Sequence, residues 1–447
     1  MLSKTSLVAI ASFLLSPVVA GPVNANDHSP ADKRNPVGIS VPPLIPSIPG
    51  VTEPLASNAP PVPVLQIPTL PLDSPPFAGA NIKPKKIGYF WTGAGEAGDN
   101  IHKDFLVTAS LDDDTFGQFS GVTDVPTSGN CPHHLGTSLD GTTLIGGGLL
   151  SLLKTQDTAF YFDVSNPYAP KFKKSNRALL SSIVDEIRAK PEGGFFITYM
   201  GSAIGTSPGR LVETNAEGGI IREWPEDVAG TLNILGQQFS PHGVILTSDF
   251  VVPLSILKPT LGIQKASTLR LWNLSDRTII STIAIPDGLS IQDVKFIPGN
   301  PESAAISTAV GPGQVWFIYP FRRDSSGKQG VAELLYDLGP KAKDPLAINS
   351  DITDDGNFVY FTITPGNHVA ALDISDLNNI SPDKKNLLVT GYFVQGGEIS
   401  IVNTPGDYRG HWLDLLPDGS LSFNRSIDFE KIFTRDRGGV VCHLRFD

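Results

Sequence analysis

A strand pattern that recurs about every 45 to 60 residues constrains the fold of this chain more than any other feature. Each copy is an alternating apolar run that ends in a polar turn, at residues 159–165, 211–215, 269–275, 316–320 and 369–375. That interval is the size of one four-stranded blade of a β-propeller, and roughly 360 residues would hold about seven blades. A two-sheet sandwich would not explain the period. We therefore predict an all-β, seven-bladed β-propeller over residues 85–447.

Two segments before the propeller have a different composition. Residues 1–20 contain Lys4, an apolar core at residues 7–15 and a small-residue ending at Val18-Val19-Ala20, which predicts a secretory signal peptide. Residues 21–84 are rich in proline, which favours extended chain, and they predict a linker or pro-segment without fixed structure. We expect the mature protein to be secreted and extracellular.

Charge and hydropathy narrow the range of partners. The formal net charge is -11 with a pI near 5.2. No basic cluster stands out, which argues against nucleic acid or an anionic membrane as a partner. The apolar stretch at residues 244–263 is interrupted by charges and prolines, so it does not predict a membrane span. A small-molecule substrate is the expected partner. Glycosylation motifs begin at Asn273, Asn379 and Asn424.

The histidine pair His133-His134 is the first candidate for chemistry. Adjacent residues on a strand point to opposite faces, so such a pair binds one metal only from a loop or a bulge. The flanking Pro132 and Gly136 favour a loop. A hydrogen-bonded structural role for each histidine is the alternative.

Both cysteines of the chain lie beside histidines, Cys131 near His133 and Cys442 next to His443. An even number of cysteines in a secreted chain favours a disulfide, and a propeller closes by bringing its two ends together. We predict a Cys131–Cys442 bond. A metal thiolate or two free thiols are the alternatives.

Several segments, in order and spacing, resemble the selenium-binding protein and methanethiol oxidase family. They lie at residues 104–108, 133–136, 162–171, 239–250, 268–272, 285–289, 294–301, 350–355 and 372–376. The resemblance implies a seven-bladed propeller. In the enzymatic members of the family it also implies a copper-dependent oxidation of methanethiol by dioxygen to formaldehyde, hydrogen sulfide and hydrogen peroxide.

The resemblance also implies a ligand set. His133, His134 and His242 match family histidines, and His443 or His411 would complete the set. Imidazole ligands suit copper, which stands at the top of the affinity series for divalent first-row metals. The chain departs from the family at four places. The cysteine motif that follows the histidine pair in the family is absent from residues 136–141, and His368 stands two positions later than the family pattern requires. Residues 183–188 contain no histidine where the family has one, and cysteine takes the place of a histidine at position 442.

Two other functions stay open at this stage. A metal-free hydrolase, isomerase or cyclase could use acidic residues and a histidine as general acids or bases, namely Asp249, Glu398, Asp407 and His411. A noncatalytic extracellular binding propeller is the third, because this architecture hosts many unrelated functions. The triple glycine at residues 146–148 predicts a close approach of strands rather than a phosphate loop, since no Lys-Ser/Thr pair follows it.

Overall fold

Short β-branched and aromatic runs separated by glycine and aspartate turns form antiparallel strands along the chain. The computed structural model describes residues 81–94, 103–130, 132–149, 156–225, 234–240, 243–257, 264–286, 290–338, 345–365, 368–377, 387–389, 409–417, 421–428 and 439–445. All of these residues belong to one compact unit. The predicted signal peptide and nearly all of the proline-rich segment lie outside the described residues.

The described strands form seven antiparallel sheets, six with four strands and one with two. Blade 1 combines β26 (Gly439–Arg445) with β1 (Ile87–Ala94), β2 (Phe105–Ser110) and β3 (Phe119–Asp124). Blade 2 contains β4 (Pro132–Thr137), β5 (Thr143–Gly148), β6 (Ala159–Asp163) and β7 (Lys171–Asn176). Blade 3 contains β8 (Ser181–Ala189), β9 (Phe195–Ser202), β10 (Arg210–Thr214) and β11 (Ile220–Trp224).

The remaining blades follow in chain order. Blade 4 contains β12 (Ile234–Ser240), β13 (Val244–Asp249), β14 (Thr268–Asn273) and β15 (Ile279–Ala284), with helix α1 (Pro253–Leu257) after β13. Blade 5 contains β16 (Ile291–Phe296), β17 (Ala305–Ala309), β18 (Gln314–Arg323) and β19 (Gln329–Asp337). Blade 6 contains β20 (Pro345–Ile352), β21 (Phe358–Pro365), β22 (His368–Asp373) and β23 (Leu387–Val389), and blade 7 contains β24 (Arg409–Leu415) and β25 (Leu421–Asp428).

The last strand of the chain closes the ring. Strand β26 pairs antiparallel with β1, with His443 opposite Trp91 and Arg445 opposite Tyr89. The first strands of successive sheets pack against one another in the order β26, β4, β8, β12, β16 and β20, so they are the inner strands around the axis. The predicted all-β, seven-bladed propeller is confirmed. Within the described residues, no helix has the length and apolar character needed to cross a membrane.

The core lies between neighbouring blades rather than at one centre. One cluster joins blades 1 and 2 through Trp91, Leu144 and Phe160, all fully buried. Another joins blades 5 and 6 through residues such as Phe317 and Phe361. Blade 2 also shares a cluster with blade 3, so its sheet buries both of its faces, which fixes the register of its strands.

A bulge at the same level recurs in six inner strands. The pairing with the second strand of the blade shifts beside His133-His134 in β4, at residues 185–186 in β8, 235–236 in β12, 292–293 in β16, 348–349 in β20 and 441–442 in β26. On the second strand of the blade, the residue opposite the bulge is a threonine or serine in five blades, at positions 92, 198, 248, 308 and 362. In blade 2 it is Gly147. Because a bulge re-aims side chains, this level of the propeller can present two neighbouring residues to one side.

Candidate metal centre

The His133-His134 pair lies in a strand with a bulge, not in a loop. His133 pairs with Gly147 and Leu135 with Gly146, so His134 is the extra residue, with a φ of 48°. The prediction of a loop was wrong, because Pro132 and Gly136 are both compatible with the first inner strand of blade 2. The bulge brings the two imidazoles together, with ring centroids 4.5 Å apart and planes at 87°.

On β5, the strand behind this bulge, Gly146 and Gly147 occupy positions that leave no room for a side chain. A Cβ on Gly147 would lie 2.4 Å from the carbonyl oxygen of His133, and one on Gly146 would lie 2.8 Å from the Trp91 ring. The indole Nε1 of Trp91 donates a hydrogen bond of 2.6 Å to the Gly147 carbonyl. The predicted close approach of strands at residues 146–148 is confirmed, and it supports the back of the histidine bulge.

The bulge of the next blade supplies two carboxylates to the same place. Asp185 Oδ1 lies 2.5 Å from His134 Nε2 and 3.1 Å from His133 Nε2. Glu186 Oε2 lies 3.5 Å from His134 Nδ1, and its Oε1 lies 2.8 Å from Arg188 Nε. The two histidines, Asp185 and Glu186 are each at most 8% exposed. The result is a buried cluster formed by two adjacent inner strands.

The protonation of this cluster follows from burial and from its opposite charges. Burial alone would raise the pKa of the Asp185 carboxyl, but the neighbouring His134 and His133 hold that pKa below its usual range. Burial lowers the pKa of His133, and the nearby Asp185 carboxylate offsets this only in part. An ionised Asp185 and a neutral His133 at neutral pH are the forms that bind metals.

The donor set fits a transition metal. One ligand atom each from His133, His134 and Asp185 can be chosen so that all three lie within 4.8 Å of one another. The second oxygen of Asp185, Oδ2, is buried and has no hydrogen-bond partner within the described residues. A buried carboxylate oxygen without a partner is unfavourable in the metal-free protein, and a bound cation would satisfy it.

The other predicted ligands are only partly described. His242 lies outside the described residues. His443 lies on the inner strand β26 and His411 on β24, and the side chains of both lie outside the description. Strands β26 and β4 pack together. This places the backbone of His443 on the strand next to the histidine bulge, so its role as a ligand stays a prediction.

The predicted disulfide also stays a prediction. Cys131 lies outside the described residues, directly before strand β4. Cys442 falls in the bulge of strand β26, which packs against β4, and its side chain lies outside the description.

Among the three sequons, Asn379 and the side chain of Asn424 are likewise outside the described residues. The Asn273 carboxamide accepts hydrogen bonds from the Ser275 N–H and hydroxyl, each 2.8 Å long.

The metal-free alternative loses one of its candidates. Asp249 is fully buried at the end of β13, where its Oδ2 accepts hydrogen bonds from Arg270 Nε at 2.9 Å and from the Thr268 hydroxyl at 2.5 Å. These bonds give Asp249 a structural role on the second and third strands of blade 4. Glu398 and Asp407 lie outside the described residues.

Sequence reasoning missed Asp185 and Glu186. Residues 183–188 stood out only because they lack a histidine. Asp185 follows His133 by 52 residues, which is one blade repeat, so an alignment of the blades on one another would have placed the acidic pair level with the histidine pair.

Comparisons with known proteins establish the fold. No family model matches the sequence, and no curated protein matches it either. A hypothetical selenium-binding protein from Sulfolobus tokodaii is similar in structure, with a TM-score of 0.63 and 16% identity over 84% of this chain and 95% of that one. A protein from Lactobacillus plantarum has a TM-score of 0.54 and 13% identity over 77% of this chain and 96% of its own.

A third similar structure is the periplasmic gluconolactonase of Pseudomonas aeruginosa, with a TM-score of 0.51 and 14% identity over 76% of this chain and 96% of that one. At such identities the likeness concerns the fold. The chain therefore has a distant fold relation to a selenium-binding protein and to a gluconolactonase, and its activity has to be argued from the site.

Proposed function

We propose that this chain is a secreted, copper-dependent oxidoreductase that acts on a small thiol or a related small molecule. His133, His134 and Asp185 would hold the metal, with His242 and His443 as further candidates. The observation that carries the proposal is the buried Asp185 carboxylate, which contacts both imidazoles through Oδ1 while Oδ2 has no hydrogen-bond partner within the described residues.

The protein supplies the ligands and their support. Glu186 Oε2 lies 3.5 Å from His134 Nδ1, which is too long for a strong hydrogen bond, but its negative charge favours a proton on Nδ1 over one on Nε2. Trp91 and Gly147 hold the bulge from behind. Burial of the four polar side chains limits access of bulk water to the reacting molecule. When bound, copper would supply one-electron chemistry with dioxygen as the oxidant.

A metal-dependent hydrolase is the second candidate, and the carboxylate favours it. Two imidazoles and one carboxylate also form the ligand set of catalytic zinc sites, which use a metal-bound water. The two candidates predict different metals and different substrates, so metal content separates them.

Metal analysis of the natively secreted protein, with variants, tests the proposal. We expect close to one copper per chain, loss of most of it in His133→Gln and Asp185→Asn, and no loss in Asp140→Asn, an exposed turn carboxylate that serves as the matched control. Turnover of volatile thiols should follow copper content. Stoichiometric zinc with turnover of lactones would favour the hydrolase, and the absence of any first-row metal would refute both.

A further inference from the structure

Three charged residues occupy one level of the inner strands, two positions beyond the bulges. Arg188 follows the bulge at residues 185–186 of β8, Lys295 follows that at 292–293 of β16, and Asp351 follows that at 348–349 of β20. All three are partly exposed, whereas the residues directly before them, 187, 294 and 350, are buried. Equivalent positions on inner strands around one axis face a common space, the central channel.

The electrostatic interactions agree with this placement. Asp351 interacts with both Lys295 and Arg188, although the three come from blades 6, 5 and 3. Asp351 therefore lies within electrostatic range of both cations, next to the level of His133, His134 and Asp185.

We infer that Arg188 and Lys295 form an oxyanion-binding pair in the central channel, which would hold the carboxylate or phosphate group of a small anionic substrate. The inference that the bound anion is the substrate rests on the proposed function. The inference that an anion binds here depends only on Arg188, Lys295 and their neighbours.

Both cations have donors to spare. Arg188 Nε lies 2.8 Å from Glu186 Oε1 but makes no hydrogen bond within the described residues, and the two Nη atoms form no ion pair there. A guanidinium with free Nη atoms can bind an oxyanion through two parallel hydrogen bonds. Lys295 Nζ is 3.5 Å from Asp293 Oδ1, which is too long for a strong ion pair.

The neighbouring carboxylates are already engaged. Asp293 Oδ2 accepts hydrogen bonds of 2.8 Å from both the N–H and the hydroxyl of Ser350, so it does not depend on Lys295. Glu186 pairs with Arg188 Nε and lies beside His134. Asp351 is the acidic group that competes with a bound anion, and burial raises its pKa, which weakens this competition.

Calorimetric titration of the full secreted protein at low ionic strength and pH 7 tests the pair, with acetate and inorganic phosphate as probes. Loss of a charge-assisted hydrogen bond should weaken binding by about 10- to 100-fold in Arg188→Gln and in Lys295→Gln. Asp351→Asn should bind the probes more tightly than wild type, a change of sign that a purely structural role would not produce. Arg322→Gln, on an exposed Arg–Glu302 pair, is the matched control and should bind like wild type.

Metal content, measured on the same samples, separates this inference from the proposed function. Anion binding by a protein without metal would support the Arg188–Lys295 pair and contradict the proposed oxidoreductase function. Absence of acetate and phosphate binding up to millimolar concentrations, or equal binding by the wild type and the Lys295→Gln protein, would overturn the inference, whatever the metal content. If Arg188→Gln fails to fold, Lys295→Gln and Asp351→Asn decide the matter.

Discussion

Gly147→Ala is the sharpest test of how the histidine bulge is built. The new Cβ would lie 2.4 Å from the His133 carbonyl oxygen and 2.8 Å from Val184 Cγ1. Both neighbours are fixed, one being backbone and the other a fully buried β-branched side chain. The methyl group can be accommodated only if β4 moves away from β5 by about 0.6–1 Å and Val184 on β8 shifts as well, since non-bonded heavy atoms do not approach within about 3 Å.

Overpacking of this kind costs about 1–3 kcal/mol, and we expect the upper half of that range because neither neighbour can yield alone. One kcal/mol lowers the melting temperature by about 2–4 °C in a domain of 150–250 residues and by less in a larger one. We therefore expect a decrease of about 3–8 °C. The shift of β4 also moves His133 and His134 relative to Asp185, so the protein should bind less metal.

Thermal unfolding and metal analysis of the purified variant measure both effects. Gly219→Ala is the control, because the nearest atoms to its Cβ are the end of the Asn215 side chain at 3.1–3.4 Å, which can adjust. A Gly147→Ala protein with the melting temperature and metal content of Gly219→Ala would refute the close approach of β4 and β5.

Three further predictions concern separate parts of the molecule. Asp185→Asn should keep the fold but bind metal about 10- to 100-fold more weakly, measured by competition with a chelator; wild-type affinity would exclude this carboxylate as a ligand or as an orienting group. Glu213 is buried, which opposes ionisation, yet hydrogen bonds from Arg277, Lys190 and Trp224 lower its pKa to about 2. Its stabilising contribution is therefore present above pH 4.5 and lost as the pH falls toward 2, so chemical denaturation of Glu213→Gln should show lower stability at pH 7 and a flatter acid dependence. Titration of the denatured, unreduced protein should find no free thiol if Cys131 and Cys442 are bonded, and two titratable thiols would show that they are not.

The blade repeat and the glycine approach were accessible from the sequence because both depend on local patterns. Alternating runs and turn residues recur with the blade, and three consecutive glycines leave room for another strand wherever they occur. The family resemblance located the histidine pair because that pair, too, belongs to a short local pattern.

Asp185 could not be predicted in this way, because its role depends on two bulges in adjacent blades that meet only in the folded ring. The bulge in β4 was weighed as an alternative to a loop, but a single extra residue leaves no pattern that separates the two. Asp249 was a candidate acid or base because the sequence does not distinguish a catalytic aspartate in a strand from one with a structural role. Its ion pair with Arg270 forms only when β13 and β14 come together in the fold.

Diffraction from a crystal of the copper-loaded protein, collected at the copper absorption edge, tests the central claim most directly. We predict one anomalous peak per chain, within about 2.0–2.2 Å of a nitrogen of His133, a nitrogen of His134 and an oxygen of Asp185. A peak at another place in the propeller, or no peak in protein that retains copper-dependent turnover, would contradict the assignment of this cluster as the metal centre.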